Sequence, residues 1–226
     1  MAAGAGTRLR PLTERWPKPI LPIDGRPVIA TLLHELRAAG CDDVFVVTGH
    51  LAEQVERLVG DGTAFGVNVR IARQPAVLGS ADAVQRGLDA GATVPTLAVA
   101  ADTVFGRGDV GRFVDAFAES GSAGAIAVRR DPPPGPRRAA VHVRDGLVTA
   151  IEDNAEGGLS GAPLWGLDRP VAERLCLDRE PYELENAYRA AIASGEAIAA
   201  VEIGKTRDLT DPLDLVEENF PYLSGA

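Results

Sequence analysis

The sequence predicts an α/β fold: a Rossmann-like, mostly parallel but mixed sheet with helices on both faces and a small β-hairpin lid. Three observations carry this. Strand-like apolar runs alternate with amphipathic helical ones through the first 130 residues. A glycine-rich run, Gly4-Ala5-Gly6, stands near the start of the chain, the kind of run that makes a tight strand-to-helix turn. Asp145-Gly146 in the second half sits between two alternating segments as a hairpin signal. No composition break or linker divides the 226 residues, so a single domain is expected. Its halves are 1–130 and 131–226, the second of which carries the lid.

The elements follow in order. Pro27 to Ala39 reads as a helix, because Val28, Leu32, Leu33 and Leu36 recur at helical spacing and Gly40 ends it. Val44-Phe45-Val46-Val47 marks a buried strand over Asp43 to Thr48. A short helix at Leu51 to Leu58, a strand at Asn68 to Arg73 and a helix at Ser80 to Asp89 come next. Thr96 to Ala100 is a strand, Gly108 to Glu119 a helix and Ala123 to Val128 a strand. Asp131 to Pro136 is a Pro/Gly loop. Val141 to Arg144 and Leu147 to Glu152 form the hairpin, and Gly161 to Leu167 a further strand. Helices at Val171 to Leu177 and Leu184 to Ser194, a strand at Ile198 to Glu202 and a helix at Thr210 to Asn219 complete the pattern.

The net charge of −9 argues against general nucleic-acid binding, whose footprint is basic. It leaves room for a small cationic pocket and thus a nucleotide. Cys41 and Cys176 are far apart and lack C-x-x-C spacing, which points to a reducing, cytoplasmic setting. No apolar run is long enough for a membrane span, and no signal-peptide pattern is present. A homo-oligomer is left open.

The chemistry concentrates near the start of the chain. Gly4 and Gly6 let backbone N–H groups approach a polyphosphate, since no Cβ stands in the way. Thr7 adds a hydroxyl, Arg8 a permanent charge with a fork of donors, and Lys18 a second cation braced by Pro17 and Pro19. Two familiar motifs fit less well. The dinucleotide fingerprint needs a third glycine where Leu9 stands, and no Gly-Lys pair offers a Walker A loop.

Three more positions matter. Asp102 follows an apolar strand, and a carboxylate at a strand's carboxyl end faces the ligand crevice of an open α/β sheet. Such a carboxylate suits Mg²⁺, though a turn-initiating Asp is the plain alternative. Gln74 carries a donor and an acceptor side by side, matching the edge of a pyrimidine, and Gly79 lets backbone pack close to a base. Taken alone, Gln74 reads as a solvated loop residue. Asp82 sits near a helix N-terminus, where negative charge is favoured. Near the end of the chain Thr210 could cap the last helix and Pro212 fits its first turn, which leaves Asp208 unexplained and Asp211 as its acidic rival.

The run Gly4-Ala5-Gly6-Thr7-Arg8-Leu9-Arg10-Pro11-Leu12-Thr13 with Pro17-Lys18-Pro19 resembles the signature of the sugar-1-phosphate nucleotidyltransferases. Gln74 to Val84 resembles their base-contacting Q-x-x-x-x-G-T-A-D-A segment. Asp208 to Leu215 resembles their closing D-x-x-T-P-x-D-L motif. The resemblance implies nucleotidyl transfer from a nucleoside triphosphate to a sugar 1-phosphate, with pyrophosphate leaving. It implies Arg8 on the β and γ phosphates and Lys18 on the α-phosphate. Ala2, Ala3, Gly4, Gly6, Thr7, Gln74 and Gly79 then hold the nucleotide, Glu152 and Gly161 the sugar phosphate, and Asp102 with Asp208 the Mg²⁺. Ala2-Ala3-Gly4 is closer to thymidylyl and uridylyl enzymes than to guanylyl ones, which favours dTTP or UTP.

This chain departs from that pattern. The family's lid carries Glu-Lys-Pro, where this sequence reads Glu152-Asp153-Asn154, and its Tyr-Gly pair corresponds to Ala139-Ala140. Lys205, Arg137 or Arg138 are candidates to replace the lid lysine. The glycine loop normally follows a central strand, and only Met1 precedes Ala2, so either residues ahead of Met1 supply that strand or this form lacks it. Two rival functions stand beside the main one: a non-catalytic subunit that binds a nucleotide sugar, and nucleotidyl transfer to another phosphorylated acceptor, such as a molybdenum cofactor.

Overall fold

The computed structural model describes residues 1–130, 132, 139–153, 159–178 and 180–220. Arg137, Arg138 and Asn154, and all but Pro132 of the expected Asp131–Pro136 loop, lie outside the described residues. The chain begins with three short 3-10 turns, at Thr7–Leu9, Leu12–Glu14 and Lys18–Ile20, before any long element. The strands β1 (Pro22–Ile23) and β2 (Arg26–Pro27) make a two-residue ribbon, followed by α1 (Val28–Ala38), β3 (Asp43–Thr48), α2 (Ala52–Val59), β4 (Asn68–Arg73) and α3 (Ser80–Asp89). Next come β5 (Thr96–Val99), β6 (Thr103–Val104), α4 (Asp109–Ser120), β7 (Gly124–Arg129), β8 (Ala139–Arg144), β9 (Leu147–Asp153) and β10 (Leu159–Leu167). The chain continues through α5 (Arg169–Ala172), α6 (Leu184–Ala193), β11 (Ile198–Glu202), β12 (Arg207–Asp208) and α7 (Pro212–Asn219).

The main sheet has six strands in the order β5-β10-β7-β11-β9-β8, and it curls so that β8 also meets the start of β10. At its centre β7 is buried along its whole length. Its Ala125 and Ala127 face one core, with α1 and α4 supplying Leu33, Val110 and Phe113. Its Ile126 and Val128 face the other, with Leu184, Tyr188 and Ala191 of α6. A two-residue period with both faces apolar is what a strand covered by helices on each side requires. Tyr188 can be buried fully because its hydroxyl donates to Gly166 O at 2.7 Å.

The sheet is mixed, but the expectation of a mostly parallel one is corrected. Among the named strands only β3–β4 and β7–β11 pair in parallel. The reason is β10, which comes back from the hairpin and runs antiparallel between β5 and β7. The hairpin itself forms at Asp145-Gly146, both at positive φ (52° and 77°), the geometry of a tight two-residue turn. It is the edge of the main sheet rather than a separate flap, since β9 pairs with β11.

The helix expected over Val171 to Leu177 is a single turn, Arg169–Ala172, capped by Asp168. Only Val171 in it is buried, so no packed face extends it. The last helix starts at Pro212, not Thr210. Asp211 is its N-cap and forms a reciprocal capping box with Asp214.

Where a central strand was expected, Met1–Ala3 runs between two open edges. Ala2 N donates to Val47 O at 2.8 Å, and Ala101 N donates to Met1 O at 2.9 Å. The Met1 amino group donates to Val99 O at 2.6 Å. Beyond these residues the edges of β3 and β5 flank a slot of about 520 Å³, lined largely by apolar side chains including Val44, Val47, Ala83, Leu97 and Val99.

Candidate active site

Two cavities adjoin where the glycine loop meets the ends of β5 and β10. The loop bends at Gly6, whose φ of 58° is left-handed. A Cβ there would lie 2.8 Å from Thr13 Cγ2. Thr13 is buried, donates from Oγ1 to Gly6 O at 2.8 Å, and its own carbonyl lies 2.6 Å from His50 Nε2. The loop is thus pinned from below, and its other side borders the cavity.

The first cavity, about 420 Å³, is lined by Ala2, Ala3, Gly4, Gly6, Thr7, Gln74 and Gly79, together with Arg8, Lys18 and Asp102. All seven residues expected to hold a nucleotide therefore converge. Gln74 is buried, against the plain reading of it as a solvated residue. Its Nε2 donates to Gly79 O at 3.0 Å and to Asp82 Oδ2 at 2.8 Å. Both amide protons are thereby used, and Oε1 remains as an acceptor. Asp82 is itself buried and pairs with Arg86 at 3.3 Å, so its role is to hold Gln74. Gly79 is required by close approach. Its φ is 122°, and a Cβ would fall 2.5 Å from Tyr182 O.

The second cavity, about 290 Å³, shares Arg8, Lys18 and Asp102 with the first and adds Asp208, Arg129, Gly161 and Ile151. Trp165 and Glu185 border both. Asp208 arrives by a short ribbon: β12 pairs with β6, which sets Asp208 opposite Thr103, next in sequence to Asp102. Thr103 Oγ1 donates to Asp208 Oδ1 at 2.6 Å. Burial pushes the Asp208 carboxyl up from its ordinary value and the charge of Asp102 adds to this, while Lys18 and Arg129 act against it. Asp211, the acidic rival, is spent on the helix cap.

The two cations differ. Lys18 Nζ lies 2.7 Å from Asp102 Oδ2. Arg8 is exposed at the rim of both cavities and makes no ion pair among the described residues. Magnesium fits this donor set. Two carboxylates, Asp102 in the turn between β5 and β6 and Asp208 at the end of β12, line one cavity, and a cation already sits on Asp102.

Gly161 of β10 and Ile151 of the hairpin line the second cavity but Glu152 does not. Strand alternation turns Glu152 outward, where it lies 3.5 Å from His142. Asp153 pairs with Arg189 of α6 at 2.6 Å. Lys205 is exposed and lines neither cavity. Sequence reading passed over Arg129, Trp165, Glu185 and Thr103. Arg129 had a legible signal: like Asp102, it is a charge at the carboxyl end of an apolar strand.

Known proteins share this architecture. The solved inositol-1-phosphate CTP transferase from T. maritima superposes with a TM-score of 0.80 at 18% identity, over 94% of this chain and 88% of that one. A UDP-glucose pyrophosphorylase from Acinetobacter baumanii superposes with a TM-score of 0.79 at 20% identity, over 96% and 89%. The fold is thus of the nucleotidyltransferase class. The family model described as nucleotidyl transferase matches residues 1–136, and this chain belongs to that family.

Among curated relatives, the low-salt glycan biosynthesis nucleotidyltransferase Agl11 of Haloferax volcanii is 28% identical over 97% of this chain and 64% of its own length. The glucose-1-phosphate thymidylyltransferase of Streptomyces griseus is 42% identical over 37% of this chain and 24% of its own length. The chain spans a third or less of the first three curated relatives it matches. No helix among the described residues is long and apolar enough to cross a membrane.

Proposed function

We propose that the protein transfers a nucleotidyl group from dTTP or UTP to a sugar 1-phosphate and releases pyrophosphate, with Mg²⁺ held by Asp102 and Asp208. The observation that carries this reading is the pair of adjoining cavities that share Arg8, Lys18 and Asp102. One cavity has the glycine loop and Gln74. The other has the second carboxylate and the hairpin. A donor and an acceptor placed in them meet at the shared residues, which is the positioning a displacement between two anions needs.

In this account the acceptor's phosphate oxygen attacks the α-phosphorus and the α–β bridge breaks. When bound, Mg²⁺ offsets charge on the phosphates. Lys18 leaves Asp102 and turns to the α-phosphate, countering repulsion between donor and acceptor. Arg8, which makes no ion pair among the described residues, takes the leaving β and γ phosphates. The free Oε1 of Gln74 accepts from N3–H of thymine or uracil. Cytosine presents an acceptor at N3 in place of that donor and satisfies Oε1 only if the base shifts to bring its 4-amino group there, which favours dTTP or UTP. A panel of triphosphates and sugar 1-phosphates, assayed for pyrophosphate release with Mg²⁺, tests the reading. Release with dTTP or UTP is expected, and no release from any pair would overturn it.

A further inference from the structure

We infer that Arg129 holds the phosphate of the acceptor, the task that a lid lysine was expected to perform; this rests on the reaction proposed above. Three observations lead to it. Arg129 closes β7, a strand buried along its whole length, and is itself 5% exposed. Its Nη1 donates to the buried Thr206 hydroxyl, which fixes the direction of the side chain. It also lines the hairpin-side cavity and not the loop-side one.

The third point decides which anion it serves. Arg8 and Lys18 border both cavities and face the donor's triphosphate as well as the acceptor. Among the described lining residues, Arg129 is the one cation that belongs to the acceptor side alone. That cavity also carries Asp102, Asp208 and Glu185. A phosphate dianion entering there meets three carboxyl groups and needs a permanent positive charge. A planar guanidinium fork matches two phosphate oxygens at once. The described residues of the hairpin place no cation against this cavity: Arg144 does not line it, and Asp153 is acidic and turned to Arg189.

Trp165 borders the same cavity and serves as a reporter. The chain has two tryptophans, so Trp16→Phe leaves Trp165 alone. In that background its fluorescence is titrated with α-D-glucose 1-phosphate, inorganic phosphate and UTP. Arg129→Met is expected to weaken both phosphate probes by at least about tenfold, as for a lost charge-assisted contact, and to leave UTP within about twofold. Arg129→Lys is expected to restore part of the loss. If the Met variant does not fold, Arg129→Gln is read by the same criterion. Unchanged phosphate binding, or an equal loss for UTP, overturns the inference, as does a wild-type protein that responds to neither phosphate probe. The reaction is judged separately: its failure is a wild-type protein that releases no pyrophosphate. The failure of Arg129 is an active variant whose KM for the sugar 1-phosphate is unchanged.

Discussion

Lys18 Nζ sits 2.7 Å from Asp102 Oδ2, joining the proline-braced segment near the start of the chain to the end of β5. Both side chains are partly exposed, so the pair adds little to stability, of order 1 kcal/mol or less. Its meaning is positional: a cation and a carboxylate meet at the boundary of the two cavities. Lys18→Ala is therefore expected to lower turnover by about 10²–10³-fold while the melting temperature moves little. Steady-state kinetics beside a thermal melt check this. Wild-type turnover would make Lys18 a surface residue between prolines.

Asp102 and Asp208 reach one cavity from β-strand ends more than a hundred residues apart in sequence, linked through Thr103. Each Asp→Asn change is expected to raise the Mg²⁺ concentration needed for half-maximal rate. The double variant should lose less than the product of the single losses, since the residues act as a unit. A magnesium titration of the three variants measures it. Fully multiplicative losses would separate the two carboxylates.

Asp153 gives a negative prediction. An acidic group in place of the family's lid lysine would repel a sugar phosphate if it faced the cavity, and Asp153→Lys would then tighten binding. The structure directs its carboxylate to Arg189. Asp153→Asn and Asp153→Lys are accordingly expected to change KM for either substrate by less than about twofold. A large fall in the sugar-phosphate KM on Asp153→Lys would restore the repulsion argument.

The amino group of Met1 yields a pH dependence. Burial pushes it down from 8.0 to about 6, against a smaller opposing pull from Asp102. The unfolded chain therefore binds the extra proton between about pH 6 and 8, and stability rises with pH across that window. The penalty is complete below about pH 6, where it is worth roughly 2–3 kcal/mol, and absent above about pH 8. Acetylation of the Met1 amino group removes the charge, so the acetylated protein is expected to lose this part of the pH dependence. Melting curves of the two forms at pH 6 and pH 8 test it, and an unchanged pH dependence would contradict it.

Local pattern carried most of the fold. β3, β4 and β11 fall where alternation and β-branched residues put them, and α3 spans the expected Ser80–Asp89. Strand direction was not legible, because whether β10 runs with or against β7 depends on where the hairpin returns the chain, not on any residue within β10. In the candidate site, the glycine loop and Asp102 were legible from residue type and position, Gln74 and Asp208 only through the resemblance of their segments to the family's, and the structure sets all of them around the two cavities. Arg129 offered the same strand-end signal as Asp102, whereas Glu185 lies in no motif and reaches the cavity from the start of α6. Glu152 was misplaced by one step of strand alternation, the smallest error that turns a side chain from the cavity to solvent.

The central claim is that an oxygen of the sugar 1-phosphate attacks the α-phosphorus. Labelling the phosphate oxygens of the acceptor with ¹⁸O and following the products by ³¹P NMR tests it directly. The account predicts a nucleoside-diphosphate sugar with label at the bridge between its two phosphorus atoms, and pyrophosphate without label. Label in the pyrophosphate, or no bridged product from dTTP or UTP in the presence of Mg²⁺, would contradict it.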